Sequence, residues 1–196
     1  MTTGPARRRT ASDDVSAALL RAAETVLDRD GTDGVTVRAV AKEAAVAPMG
    51  VYNRFDNKEG LLAALATRAL DELASAIEVA VDVEPVERFR RACRGYREFA
   101  LRHPARYSLI FANGSPLSNQ SSAVAAHGRT VFAYLVDLID HLGRRHAADA
   151  AEAAQAVWSA IHGAVAIELT GIGQTADPTA SFEHLLDLMV GGITAH

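Results

Sequence analysis

Seven histidines, 24 carboxylates and one cysteine, Cys93, are the groups of this 196-residue chain that most readily do chemistry. Their spacing does not assemble an active site. His141 and His146 are five apart, so on a helix they point ~140° away from each other and hold a metal poorly. His162 and Glu168 are six apart and diverge too. There is no HExxH stretch or cysteine pair to bind a metal, and no glycine-rich phosphate loop or serine elbow. Cys93 falls on the inward face of its helix, where a thiol packs rather than attacks. The expectation is a protein that is not an enzyme, with no catalytic residue, no metal and no cofactor.

A different chemistry gathers between residues 36 and 58. Arg38, Arg54 and Lys58 bring cations that phosphate oxygens bind, helix N-termini add to them, and Tyr52 stands with Arg54 beside the approach. Pro48, Met49 and Gly50 are small or slender enough to leave room for close approach to a duplex. The net charge of −4 argues against a nucleic-acid binder, but its distribution does not. Residues 1–68 hold ten of the 20 Lys/Arg and nine of the 24 Asp/Glu, so the acidic excess lies in the rest of the chain. A near-neutral head with a few placed cations is compatible with local DNA contact. Arg7, Arg8 and Arg9 read either as a solubilising tail or as an arm for phosphates or the minor groove.

The elements that must position these residues are all helical. A first helix starts near Ser12 or Asp13, repeats Val15, Leu19, Ala22, Val26 and Leu27 at helical spacing, and ends at Gly31 and Gly34. Thr36 caps a short second helix. Ala45-Val46-Ala47 forms a three-residue turn, and Pro48 takes the first position of a third helix running to about Arg54. Two short helices joined this way make a helix-turn-helix, whose second helix enters the major groove. Asn57 caps a long fourth helix, to about Ala80, that connects head to body.

The stretches Thr36-Val-Arg-Ala-Val-Ala, Val46-Ala-Pro-Met-Gly-Val-Tyr-Asn-Arg-Phe55 and Asn57-Lys-Glu-Gly-Leu-Leu62 resemble the TetR family head, in order and spacing over residues 13–65. The resemblance implies that Thr36 and Arg38 touch phosphates and that Pro48, Met49, Gly50 and Asn53 face base edges. Tyr52, Arg54 and Lys58 would hold the DNA backbone, and Phe55 would be a core residue. Two positions depart from the pattern. Ala45 stands where Gly is usual, at a cost if the backbone needs a positive φ. Ala47 stands where Ser or Thr often caps, worth ~1 kcal/mol.

The body begins at Pro85. Its first helix is expected to bury Val86, Phe89, Cys93, Tyr96, Ala100 and His103, and to break at His103-Pro104. A short helix through Tyr107 and Phe111 follows, then a loop over 113–122 and helices near 123–143, 147–171 and 178–193. Residues 154–170 carry one charge, Glu168, and so are apolar on nearly all sides. A helix of that kind must be buried on nearly all sides. The helices at 147–171 and 178–193 are therefore the expected surface of a two-fold homodimer. Trp158-Ser-Ala-Ile-His162-Gly163 and His103-Pro-Ala-Arg-Tyr107 resemble the WHG-type C-terminal domain of a subset of TetR regulators. Trp158, His162 and Val165 share one helix face. With Tyr96, Phe99, His103, Tyr107, Phe111 and Phe132 they would line either a ligand pocket or a packed aromatic core.

The expectation is an all-α chain with a three-helix DNA-binding head at 12–58 and a ligand-binding and dimerisation body at 59–196, linked by the helix at 57–80. Its partners would be operator DNA and a small-molecule effector, and its action that of a repressor. The other reading is a helical adaptor whose head binds protein. No signal peptide and no apolar window of membrane-spanning length occurs, so a cytoplasmic location is expected.

Overall fold

The computed structural model describes residues 11–142 and 150–194; Arg7, Arg8, Arg9 and His146 lie outside them. The described residues form nine α-helices, one 3₁₀ turn and no strand. The chain divides into two compact units, Met1–Ala66 and Thr67–His196.

In the first unit α1 spans Ala11–Gly34, with non-helical backbone at Gly31 (φ 71°) where the sequence places its end. Helix α2 spans Val37–Glu43 and α3 spans Pro48–Phe55. Helix α4, Lys58–Ile77, starts in this unit. Leu19, Val26, Leu27, Val35, Val40, Val51, Leu61 and Leu65 form the core. A salt bridge from Arg29 to Glu43 ties α1 to α2 at 3.0 Å.

The second unit holds the end of α4 and five further helices. These are α5 (Pro85–Arg102), α6 (Pro104–Phe111), α7 (Ala123–His141), α8 (Ala150–Thr170) and α9 (Pro178–Thr194). Phe89, Phe99, Ala100, Ile110, Ile139, Val165 and Leu186 are its buried centre. Gly95 lets α5 cross α4: a Cβ there would overlap the Ala76 carbonyl. Arginines on one face of α5 run antiparallel to acids on α9, with Arg90 on Asp187 at 2.6 Å and Arg94 on Glu183 at 2.7 Å. Arg97 continues the row, forking both oxygens of Glu168 on α8 at 2.6–2.7 Å and reaching Thr179 Oγ1 at 3.0 Å.

Four expectations need correction. Helix α4 ends at Ile77, not near Ala80, because the next backbone turns to the Tyr134 hydroxyl, which accepts from the Val79 N–H at 3.0 Å. Val86 and His103 are half-buried rather than core, since they lie at the two ends of α5. Phe55 is also half-buried. The loop at 113–122 contains a 3₁₀ turn, Pro116–Ser118, capped by the Ser115 hydroxyl on the Leu117 N–H at 3.1 Å.

Candidate functional site

Short-range chemistry builds the head. The Thr36 hydroxyl oxygen accepts from the Ala39 N–H at 3.1 Å and starts α2. It keeps a proton to donate outward, because one hydroxyl both accepts and donates. Ala45 adopts φ 53°, the left-handed conformation in which Gly is unstrained and Ala is not. Pro48 opens α3 after Ala47, whose side chain makes no cap. Asn57 caps the next helix, its Oδ1 accepting from the Gly60 N–H at 2.8 Å.

Those constraints fix which side of α3 looks out. Val51 is fully buried and anchors the helix. Pro48, Met49, Gly50, Tyr52, Asn53 and Arg54 are all exposed, with Met49 at 64% and Tyr52 at 46%. Thr36 and Arg38 are exposed on α2, and Lys58 is half-buried at the start of α4. An exposed methionine and tyrosine beside cations, on a helix held by one buried valine, form a surface arranged for contact rather than for packing.

The second unit forms a half-open cavity of about 390 Å³. Helix α4 supplies Leu70, Leu73 and Ile77, α5 supplies Cys93 and Tyr96, and α7 supplies much of one wall, including Phe132 and Leu135. Trp158 and Ile161 close it from α8. Of the residues singled out in the sequence, Tyr96, Phe111, Phe132 and Trp158 line this space. Phe99, His103, Tyr107, His162 and Val165 do not. Phe99 and Val165 are core, and His103 lies against the Phe99 ring with centroids 5.7 Å apart. The aliphatic residues of α4 and α7 were not singled out, because on an amphipathic helix they look like ordinary core.

Tyr107 and His162 stand behind the cavity in a polar chain. The Trp158 indole N–H donates to the Tyr96 hydroxyl at 3.4 Å, and Tyr96 donates to Tyr107 at 3.3 Å. Tyr107 donates to His162 Nδ1 at 2.6 Å. Burial holds His162 below its ordinary value and pushes Tyr107 up to about 12. At neutral pH the imidazole is therefore neutral and the phenol protonated, and Nδ1 accepts from Tyr107 in the tautomer that carries the ring proton on Nε2. Burial also raises Cys93, so its thiol is inert. No group of three or more metal-ligating side chains occurs among the described residues.

A family model described as bacterial regulatory proteins, tetR family, matches residues 19–65. A second, the tetracyclin repressor-like C-terminal domain, matches residues 89–189. The chain belongs to the TetR family. It is a DNA-binding transcriptional regulator and not an enzyme. A Mycobacterium tuberculosis relative, the uncharacterized HTH-type transcriptional regulator Rv0681, is 28% identical over 89% of this chain and 79% of its own. Mycobacterium smegmatis BioQ is a structural neighbour at 28% identity and TM-score 0.69, covering 92% of this chain and 98% of that one. BioQ has also been solved with its natural double-stranded DNA operator; that structure is 26% identical, with TM-score 0.67, over 96% of this chain and all of that one. No described helix is long and apolar enough to cross a membrane.

Proposed function

We propose that this TetR regulator is a repressor that binds a palindromic operator as a homodimer and is released by a small molecule held in the body. The observation that carries the DNA reading is the exposed row Pro48, Met49, Gly50, Tyr52, Asn53 and Arg54 over the buried Val51. Residues 12–58 are the DNA-binding head and 59–196 the sensing and dimerising body. Pro48, Met49, Gly50 and Asn53 read base edges. Thr36, Arg38, Tyr52, Arg54 and Lys58 bind phosphates and set register. The BioQ operator complex supports this use of the head.

Helices α8 and α9 supply the dimer surface. Ile167 and Leu188 are 48% and 61% exposed, which is uneconomical for large aliphatics on one chain. Gly163, Gly191 and Gly192 leave open space where side chains would stand, so a second pair of helices can approach closely. Two copies present two recognition helices to half-sites ~34–36 Å apart. The effector occupies the cavity beside Trp158. Helix α4 is the lever: it lines the cavity with Leu70, Leu73 and Ile77 and carries Lys58 at its other end. An effector that prefers the released conformation must weaken DNA, and DNA must weaken it by the same factor.

Selection of bound DNA from a random duplex pool tests the core of this reading. A palindromic consensus is the expected result. An unenriched pool, or enrichment of an asymmetric single half-site, would overturn it.

A further inference from the structure

We infer that the effector is a carboxylate with an apolar body, its head group held at the cavity rim by Arg129. The inference rests on the cavity being the effector site. Among the described residues that line the cavity Arg129 is the one that is charged, and none is a carboxylate. The wall is otherwise dominated by aliphatic and aromatic side chains, and its buried end is Leu70, Leu73 and Leu138.

The polar groups nearer the interior are already committed to one another. Trp158, Tyr96, Tyr107 and Nδ1 of His162 form a chain of donors and acceptors. A ligand head group placed among them would compete with these bonds. Arg129 has no such commitment. Among the described residues its one hydrogen bond runs from Nη1 to the Gln120 carbonyl at 3.1 Å, which leaves most of the five guanidinium N–H donors unused. Arg88, Arg90, Arg94, Arg97 and Arg106 of the same unit each lie within ion-pair distance of a carboxylate, and among the described residues Arg129 does not. Arg129 and Gln120 are both exposed, which places them at the mouth. The geometry thus offers an apolar interior and a fork of cationic donors at the entrance. A carboxylate fits that fork bidentately, whereas an ammonium head would meet no opposite charge. A volume of about 390 Å³ suits a single small amphiphile.

Three probes of equal chain length separate the possibilities: decanoate, decanol and decyltrimethylammonium, each kept below micelle formation with the full-length protein. Trp158 is the sole tryptophan and lines the cavity, so its emission reports occupancy; calorimetry measures the same affinities independently. Decanoate should bind about three- to fivefold more tightly than decanol, the increment of a solvent-exposed charge-assisted contact. The ammonium should be weakest. Arg129→Gln should abolish the preference and leave decanol unchanged, and Arg129→Glu should transfer it to the ammonium. Equal binding of all three probes, unaffected by either variant, would sink the anionic assignment while leaving the cavity as a ligand site. If none of the probes bound by either method, the effector-site reading would fall and this inference with it.

Discussion

The Tyr107 hydroxyl lies 2.6 Å from Nδ1 of His162, and it closes a chain of hydrogen bonds that begins at the Trp158 indole. The consequence is electrostatic as well as structural. A neutral imidazole accepts from Tyr107; a protonated one cannot, because both of its nitrogens then donate.

This gives the first prediction, a pH dependence of stability. Burial places the folded-state value of His162 below that of the unfolded chain, ordinarily about 6.5. The unfolded state therefore takes up the proton first as pH falls. The stability held by neutral His162 is complete above about pH 6.5 and is lost as pH falls from there through the folded-state value. Thermal melts across that window should show Tm falling toward acid, with a flatter dependence in His162→Gln. Tyr107→Phe should cost about 1 kcal/mol, since Tyr96 remains 3.1 Å from the same nitrogen. A His162→Gln profile parallel to wild type would count against the neutral assignment.

The second prediction concerns Ala45. Its φ of 53° costs an L-residue ~1 kcal/mol or more, which Gly avoids. Gly also gains entropy in the unfolded chain, so the net benefit of Ala45→Gly should be about 0.5 kcal/mol. Denaturant unfolding followed by hydrogen exchange in α2 and α3 would register it. Destabilisation would mean that the turn relaxes around alanine.

The head was legible in the sequence because its determinants are local. Thr36, Pro48 and Asn57 each act within three residues, and each stands where its cap or helix start was expected. The positive φ at Ala45 follows from the same short-range logic. The body was legible only as helices with inward faces. Periodicity shows which face of α4 and α7 turns inward, but not whether the neighbour packs or leaves a void. Leu70, Leu73 and Leu135 line the cavity without having been expected there, and Tyr107 and His162, expected as lining, do not. The pairing of Arg90, Arg94 and Arg97 with α8 and α9 was hidden for a related reason. Its partners lie 97, 89 and 71 residues away, so only the tertiary fold brings them together.

A third prediction separates assembly from folding. Leu186 is fully buried within its own unit, so a charge there tests the core and not the dimer. Leu188, two residues on, is 61% exposed. Leu188→Glu should keep the helical circular dichroism spectrum and give a monomer by analytical ultracentrifugation, with operator binding lost. Leu186→Glu should unfold or precipitate, as expected for a buried unpaired charge. A wild-type monomer at micromolar concentration, or a dimeric Leu188→Glu protein, would contradict the proposed interface.

The last prediction divides the head's surface into residues that position and residues that read. Arg38 is exposed on α2, and Lys58 begins α4, the helix that follows α3 in the chain. A cation that neutralises a phosphate releases a condensed counterion, so its removal shows in the salt dependence of binding. Arg38→Ala and Lys58→Ala should each weaken every sequence alike and lower the slope of log affinity against log salt by ~1. Met49 and Asn53 carry no charge and stand on the exposed face of α3. Met49→Ala and Asn53→Ala should leave the slope unchanged and instead relax the preference at particular base pairs, by about 1–3 kcal/mol for a well-made contact. Gel shifts over a salt series, run on the selected operator and on single-base variants of it, resolve both effects. If Arg38→Ala altered base preference with the slope intact, or Asn53→Ala lowered affinity uniformly, the two groups would have to exchange roles. That exchange would mean α2, not α3, presents the reading face to the groove.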